Sequence, residues 1–243
     1  MRARHLVRFL TAATILVSGS SGYADEAPPG LRVVRPDGTG ARPTAVFMSG
    51  CSGFVGAAYT SAATKLKELG YVVAHVDYVG KRTTSGNCAT AKISKEAAAT
   101  DLSEAITWLK AQDFVEKGKV LVIGWSYGAG STLYALSKQL PISMAILYYP
   151  DCSMVPDVKS ELPILVLQGS ADNVVSNTQC RELIARSNSA KSYQIEEFPG
   201  ALHAFDMSNL PVQMQYPFGT IGYSKEAELA AWNKVLNFLA ARP

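Results

Sequence analysis

The sequence has few histidines, few cysteines and no hydrophobic run long enough to cross a membrane. Its 243 residues include three histidines and four cysteines. The cysteines form no C-x-x-C pair, and no spacing typical of a zinc site is present. The apolar run at residues 9–17 falls well short of the roughly 20 residues that a transmembrane helix needs. The sequence therefore predicts neither a bound metal nor a membrane-spanning segment.

Charge is also scarce, and the small excess of positive charge has a specific location. Charged residues make up 18% of the chain, and the formal net charge is +3. Arg2, Arg4 and Arg8 all lie in the first 24 residues, which contain no acid. Without these three, 20 of the 23 basic residues remain, against 20 acidic residues. A balanced charge predicts neither nucleic acid nor an anionic membrane as a partner.

The first 24 residues have the order of a secretory signal. A basic start precedes the short apolar run, and small residues then flank Tyr23 in an A-x-A-like pattern before Asp25. We expect cleavage after Ala24, which gives a signal peptide over residues 1–24 and a periplasmic or secreted protein over 25–243. An uncleaved N-terminal anchor or a cytosolic helix is the alternative. No cysteine closely follows the apolar run, which argues against a lipid anchor.

Export changes the interpretation of the four cysteines. Cys51, Cys88, Cys152 and Cys180 are even in number, and disulfides form and persist in oxidising compartments. Four cysteines allow three pairings, and their positions alone do not choose among them. Four free, buried cysteines are the alternative.

Buried-strand patterns alternate with helical patterns along the rest of the chain. The strands are continuous apolar runs, as expected where helices cover both faces of a parallel sheet. We therefore predict a single α/β domain over residues 25–243, with a mainly parallel central sheet and helices on both faces. Strands are expected at 31–35, 45–48, 71–77, 120–123, 143–149, 164–168 and 192–198, and helices at 59–69, 94–111, 127–140, 177–189 and 225–241.

A G-x-S-x-G motif follows the apolar run 120–123 and begins a helix. At such a strand-to-helix turn the serine, here Ser126, occupies a strained backbone conformation that exposes its hydroxyl. Gly124 and Gly128 are small where the strand and the helix pack against the turn. The helix N-terminus favours the negative charge that develops there during a reaction. The motif predicts that Ser126 is a nucleophile.

A histidine base and an acid follow in the chain order Ser…Asp…His that such folds require. Beyond the signal the only histidines are His75, in the middle of a strand and expected in the core, and His203, in a loop after the last strand. We expect His203 to be the base.

Three aspartates compete to be the acid that orients this histidine. Asp172 directly follows the strand at 164–168, which places it near the carboxyl edge of the sheet. Asp151 and Asp157 follow the preceding strand instead. We rank Asp172 first and Asp151 second, with a turn or capping carboxylate as the alternative role for Asp172.

An oxyanion formed at the nucleophile requires two preorganised N–H donors. The first is expected from Tyr127, the residue after the nucleophile, and the second from the glycine-rich loop 49–53. Within that loop we favour the N–H of Cys51, with Ser52 as the alternative. The alternative interpretation is that residues 49–53 form an ordinary glycine turn with no role in catalysis.

Taken together, five segments resemble the dienelactone hydrolase family of the α/β-hydrolase superfamily, over residues 32–239. The segments are Met48–Gly53, Gly124–Gly128, Tyr149–Cys152, Gly169–Asp172 and Pro199–Asp206. The resemblance implies hydrolysis of small ester or lactone substrates by the triad, without a metal or an organic cofactor. The chain departs from the family's pattern at two points, with a serine where the namesake enzymes have a cysteine nucleophile and Ser49-Gly50 where relatives usually have His-Gly.

In the implied fold, all four cysteines lie near the carboxyl edge of the sheet. Cys51 and Cys88 follow neighbouring strands, and so do Cys152 and Cys180. We therefore predict the pairs Cys51–Cys88 and Cys152–Cys180, the first of which would brace the oxyanion loop.

Two loops are candidates for substrate selection. Residues 81–93 carry Arg82, which could meet an acidic substrate group or lie at a solvated loop tip. Residues 207–223 are weakly charged and could form a rim or partial lid, or simply pack as a crossover to the last helix. Trp125 and Phe205 are further candidate contacts.

The sequence thus predicts an exported serine hydrolase that cleaves carboxylic esters or lactones through Ser126, His203 and Asp172. An acyltransferase using the same triad is one alternative. The other is a non-catalytic binding module that keeps the fold.

Overall fold

A seven-stranded sheet with helices on both faces organises the chain. The computed structural model describes residues 26–187 and 190–242, so the predicted signal peptide lies outside the described residues. The strands are β1 Leu31–Val34, β2 Arg42–Met48, β3 Val72–Val76, β4 Val115–Trp125, β5 Met144–Tyr148, β6 Ile164–Gly169, β7 Tyr193–Phe198, β8 Met214–Tyr216 and β9 Gly219–Ile221. The helices are α1 Ala57–Glu68, α2 Lys95–Ala111, α3 Tyr127–Ser137, α4 Asn177–Arg186 and α5 Lys225–Ala240, with a 3-10 turn at Ala190–Ser192.

The strands of the main sheet lie in the order β1-β3-β2-β4-β5-β6-β7. Only β1 is antiparallel to its neighbour; every other pairing is parallel. In the register, Met48 lies opposite Gly124, so the chain leaves β2 and β4 at the same level. The predicted α/β fold with a mainly parallel sheet is confirmed.

Two apolar cores lie on opposite faces of this sheet. Helices α2, α3 and α4 cover one core, and α1 and α5 cover the other. The central strands are buried on both faces, because alternate side chains enter each core. This two-sided burial is the reason that these strands are uninterrupted apolar runs.

Most predicted elements occur, with two differences. Strand β4 begins at Val115, five residues before its predicted start, because its polar first half still pairs with β2 through Arg42 and Val115. Strands β8 and β9 form a separate antiparallel hairpin in a region with no predicted strand. None of the described helices is both long enough and apolar enough to cross a membrane.

Two disulfides lie near the carboxyl edge of the sheet. Cys51 is joined to Cys88, and Cys152 is joined to Cys180, the same pairs that were expected from the order of the strands. The first links the loop after β2 to the loop after β3. The second links the loop after β5 to α4, so each disulfide connects segments that follow neighbouring strands.

Candidate active site

The turn between β4 and α3 places Ser126 above the sheet. Its backbone has φ +50° and ψ −117°, a conformation that costs a non-glycine residue about 1–3 kcal/mol. The surroundings hold it there, because its N–H donates to the Tyr148 carbonyl at 2.9 Å and its carbonyl accepts from Gly130 at 3.0 Å. The strain is therefore maintained by main-chain hydrogen bonds on both sides of the serine.

Close packing explains both glycines of this turn. A Cβ on Gly124 would lie 2.7 Å from the Ala129 Cα. A Cβ on Gly128 would overlap the main chain of Met48 and Ser49. A larger residue at position 124 would push α3 away from β4, and one at position 128 would push α3 away from the end of β2.

Ser126, His203 and Asp172 form a continuous chain of hydrogen bonds. The Ser126 Oγ lies 3.0 Å from His203 Nε2, and His203 Nδ1 lies 2.8 Å from Asp172 Oδ2. His203 is in the loop after β7, where its carbonyl accepts from the Gly222 N–H at 3.0 Å. Three loops that follow three different strands thus bring the predicted triad residues together.

The Asp172 carboxylate is buried and has several donors besides the histidine. Its Oδ1 accepts from the N–H groups of Val174 at 2.9 Å and Val175 at 3.1 Å. Its Oδ2 also accepts from Gln168 Nε2 at 3.0 Å. These donors fix the carboxylate in one orientation, which in turn fixes the imidazole.

The second-ranked acid, Asp151, faces a different partner. Its Oδ2 lies 2.8 Å from Lys95 Nζ, and its Oδ1 accepts from the Ser153 N–H and hydroxyl. Burial alone would raise the pKa of Asp151, but the hydrogen bonds from Lys95 and Ser153 outweigh it and lower the pKa. Asp151 is therefore an ionised acceptor next to the nucleophile turn, and the carboxylate that binds the imidazole is Asp172.

The loop after β2 approaches the nucleophile closely enough to supply an oxyanion donor. A Cβ on Gly50 would lie 3.7 Å from the Ser126 Cβ. The Gly50 N–H already donates to the Tyr59 hydroxyl at 2.9 Å, and the Gly53 N–H donates to the Gly50 carbonyl at 3.1 Å. Cys51 and Ser52 remain the candidate donors in this loop, opposite the Tyr127 N–H at the start of α3.

The oxyanion loop after β2 is held in place by Tyr59, as described above, by Tyr78 and by the Cys51–Cys88 disulfide. The Tyr78 hydroxyl lies 3.0 Å from the Ser49 carbonyl oxygen and 3.1 Å from that of Gly50. Burial raises the pKa of Tyr78 well above its usual value, so the hydroxyl stays protonated and donates. The Cys88 N–H also donates to the Cys51 carbonyl at 2.8 Å, next to their disulfide. The peptide groups of the loop are thereby fixed from three directions.

A buried carboxyl group lies beneath the triad. Asp206 accepts from the Tyr149 hydroxyl at 2.6 Å and from Trp125 Nε1 at 2.8 Å. Burial raises the pKa of Asp206 to about 6, although both hydrogen bonds act to lower it. The Tyr149 ring centroid lies 4.6 Å from that of His203, so the network contacts the imidazole as well as the nucleophile turn.

Ser126 opens into a cavity of about 960 Å³. The lining includes both expected oxyanion residues, Cys51 and Tyr127, and part of Trp125. Six residues of the segment 207–223 also line it: Met207, Asn209, Leu210, Tyr216, Phe218 and Ile221. This segment therefore forms one wall of the cavity as well as a crossover to α5.

Two of the residues expected to contact substrate lie away from the cavity lining. Arg82 does not line the cavity; its guanidinium and Lys81 Nζ both bind the buried Asp101 carboxylate on α2. Phe205 is fully buried and packs edge-on to Tyr149, 5.5 Å between ring centroids. A buried carboxylate attracts the arginine inward, and the phenylalanine packs in the core against the rings of Tyr148 and Phe198.

Comparison with known proteins assigns the chain to a family. The family model described as the dienelactone hydrolase family matches residues 31–242. The chain belongs to the dienelactone hydrolase family. The prediction of a carboxylic ester hydrolase of this family is thereby confirmed at the level of the family. A search of curated protein sequences found no match.

Solved structures of dienelactone hydrolase-like proteins share the fold. A dienelactone hydrolase-like promiscuous phosphotriesterase from metagenomic libraries superposes with a TM-score of 0.70 at 18% identity, over 87% of this chain and 98% of its own. Esterase 2 of Thermogutta terrifontis, phosphorylated by paraoxon, gives a TM-score of 0.65 at 18% identity, over 87% of this chain and 88% of its own. At such identities the likeness concerns the fold alone.

Three features of this family member escaped the sequence analysis. They are the Lys95–Asp151 ion pair, the Asp206 network and the tyrosines that hold the oxyanion loop. One signal was available: Lys95 occupies the helical face of Ala98, Ala99 and Leu102, where a charged residue requires a buried partner. Within the described part of the chain, no group of three or more His, Cys, Asp or Glu side chains could hold a metal ion.

Proposed function

We propose that the protein is an exported serine hydrolase that cleaves carboxylic esters or lactones through an acyl-enzyme on Ser126. The observation that carries the proposal is the continuous hydrogen-bonded chain from the Ser126 hydroxyl through His203 to the buried Asp172 carboxylate. The open cavity above Ser126 gives a substrate carbonyl access to the hydroxyl. Family membership supports the same chemistry.

In the first half-reaction, the Ser126 Oγ attacks the carbonyl carbon while His203 Nε2 accepts its proton. The carbonyl π electrons move to oxygen, and the N–H groups of Tyr127 and Cys51 stabilise that oxyanion. Collapse of the tetrahedral intermediate expels the alkoxide, which takes the proton from His203. Asp172 keeps Nδ1 protonated and stabilises the imidazolium throughout.

In the second half-reaction, water replaces the departed alcohol. His203 Nε2 accepts a proton from the water as its oxygen attacks the acyl carbon. The second tetrahedral intermediate collapses, the acid leaves, and Ser126 regains its proton from His203. An added alcohol or amine that captures the acyl group in place of water would reveal acyl transfer.

Covalent labelling tests the nucleophile directly. A fluorophosphonate probe and paraoxon, which phosphorylates the Thermogutta esterase, are expected to modify Ser126, as located by peptide mass mapping. Ser126→Ala should abolish labelling and reduce p-nitrophenyl ester turnover to the background rate. Ser103→Ala, in the middle of α2, is the matched control and should keep both. Persistent labelling of the Ser126→Ala protein would show that another residue is the nucleophile.

We further propose that residues 1–24 are a removable signal and that residues 25–243 form the working domain. Two disulfides support this proposal, because disulfides persist mainly in oxidising compartments. The intact mass of the protein recovered after export by a bacterial host should correspond to a chain that begins at Asp25. A mass that retains residues 1–24 would contradict the cleavage.

A further inference from the structure

The cavity above Ser126 has two chemically different sides. One side adjoins the core beneath α1 and α5 and is mainly apolar. Its lining residues include Val175, Met207 and Leu210, which pack in that core, and the exposed Val55 and Phe218. Val55 and Phe218 are 75% and 60% exposed, so this side is an open apolar surface at the mouth of the cavity.

The opposite side is lined by hydrogen-bonding groups. Its polar residues are Asn87, Lys92, Asp151, Ser153 and Gln179. Each is next in sequence to a buried residue of the core beneath α2, α3 and α4, namely Cys88, Ile93, Cys152 or Cys180. Trp125 belongs to the core beneath α1 and α5, whereas Tyr127 packs against the core beneath α2, α3 and α4. Ser126 stands between these two residues, so an ester on its hydroxyl can extend one group toward each side.

The polar side contains an ion pair, Lys95 with Asp151, whose lysine is buried. Lys95 is only 8% exposed, and its Nζ lies 2.8 Å from Asp151 Oδ2 and 3.3 Å from Ser153 Oγ. It also lies 4.7 Å from the centroid of the Tyr127 ring. The ammonium is therefore enclosed by partners, and its role is to keep Asp151 ionised.

Asp151 lines the cavity, and its Oδ2 has an acceptor position that Lys95 does not use. Ser153 occupies Oδ1 with two hydrogen bonds, whereas Oδ2 accepts one hydrogen bond, from Lys95. The Asp151 side chain is 24% exposed, and its N–H donates to the Ser126 carbonyl at 3.1 Å. A carboxylate oxygen has room for a second donor, so a hydroxyl of a bound substrate can bind there.

We propose that the polar side is a subsite for the alcohol portion of the ester and that it selects uncharged, hydroxyl-bearing alcohols such as polyols or sugars. This inference rests on the serine hydrolase function proposed above. The alcohol leaves after the first half-reaction and water then occupies its place. A polar surface can bind that water by hydrogen bonds, so the alcohol is assigned to the polar side. The acyl group stays on the serine through both half-reactions, and the apolar side shields it.

Two esters with the same acyl group test the subsite. Glycerol 1-butyrate and 2-methylbutyl butyrate have alcohol portions of the same size and branching, but only the glyceryl group carries two hydroxyls. We expect kcat/KM for the glyceryl ester to exceed that for the isostere by about tenfold, as one hydrogen bond to a charged acceptor allows.

Substitutions assign that preference to Asp151. In Asp151→Asn the ratio of the two kcat/KM values should fall to about one. If the unpaired Lys95 prevents folding, the apolar pair Lys95→Met with Asp151→Leu should give the same loss of preference. Asp157→Asn is the matched control, since Asp157 lies on the same loop, pairs with Arg186 and does not line the cavity. It should keep the wild-type ratio.

The outcomes separate this proposal from the proposed function. Turnover of both esters without preference, a preference for 2-methylbutyl butyrate, or an unchanged ratio in Asp151→Asn would overturn the alcohol subsite and leave the serine hydrolase standing. No turnover of either ester, together with no labelling of Ser126, would overturn both.

Discussion

At the scale of single residues, Asp206 is a carboxyl group held in an apolar interior. Its carboxyl group is buried and accepts hydrogen bonds from the Tyr149 hydroxyl and from Trp125 Nε1. Trp125 precedes the nucleophile, and Asp206 lies three residues after His203. One carboxyl therefore connects the nucleophile turn to the histidine loop, and its protonation is coupled to the stability of the fold.

This coupling has a definite sign. Burial raises the pKa of Asp206 from 3.8 to about 6, so between those values the folded state binds more protons than the unfolded state. The contribution of this group to the free energy of unfolding is therefore full below about pH 4 and is lost as the pH rises through 6. A shift of this size corresponds to about 3 kcal/mol.

Asp206→Asn removes that titration, and urea unfolding from pH 4 to 7.5 measures it. Wild type and variant share every other ionisable group, so their difference in unfolding free energy isolates Asp206. We expect the wild type to lose stability relative to the variant as the pH rises from 4 to 7, by up to about 3 kcal/mol. A difference that is constant across this range would show that Asp206 does not titrate there.

At the scale of elements, local sequence patterns predicted most of the individual strands, helices and turns. The apolar strands, the helices and the G-x-S-x-G turn follow from neighbouring residues, and these elements bring Ser126, Asp172 and His203 to one edge because parallel strands end together. The hairpin of β8 and β9 escaped prediction, since three-residue strands show no measurable alternation. Short strands of this kind depend on tertiary contacts, here from Asn173 to the Thr220 N–H at 2.8 Å.

The two disulfides form a natural comparison at this scale. Cys51–Cys88 joins residues 37 apart and Cys152–Cys180 joins residues 28 apart. Loops of these lengths give similar entropic effects on the unfolded chain, about 4 kcal/mol each in the chain-entropy model. Only the first disulfide includes a residue expected to donate to the oxyanion. The two should therefore differ in their effect on activity and agree in their effect on stability.

Serine pairs in place of each disulfide test this difference. Replacing Cys51 and Cys88 should lower kcat for p-nitrophenyl acetate by tenfold or more, toward the 10²–10³-fold cost of losing one oxyanion donor. Replacing Cys152 and Cys180 is the control for stability, and its effect on kcat should be much smaller. Urea unfolding of both variants checks that their stabilities match. Equal losses of kcat would mean that the first disulfide has no special role at the oxyanion loop.

At the scale of the whole molecule, long-range pairs decide what sequence patterns do not. Asp101 draws Arg82 away from the cavity, Lys95 reaches Asp151 across 56 positions, and Asp206 reaches Trp125 across 81. Each pairing depends on the order of strands in the sheet, which no local pattern contains. The triad was predictable because each of its members follows a strand in a known chain order. Asp151 and Asp206 also follow strands, but no sequence pattern pairs them with Lys95 and Trp125.

The sheet and its two cores also determine how far the fold depends on its disulfides. A domain of this size buries roughly 70% or more of the surface that its unfolded chain exposes. Each face of the sheet is covered by one continuous apolar core. We therefore expect residues 25–243, produced in a reducing cytosol and kept in dithiothreitol, to remain folded without denaturant. Because both loops open on reduction, the urea midpoint should fall clearly below that of the oxidised protein.

Far-ultraviolet circular dichroism with urea titration measures this for the reduced and oxidised forms side by side. A cooperative transition in the reduced form, at lower urea and with a slope at least as steep, is the expected result, since the reduced unfolded chain is less constrained and the slope follows the surface exposed on unfolding. The fourfold Cys→Ser variant at positions 51, 88, 152 and 180 provides a control in which no disulfide can re-form. A reduced chain with no native spectrum at zero urea would show that the cores alone do not hold this fold.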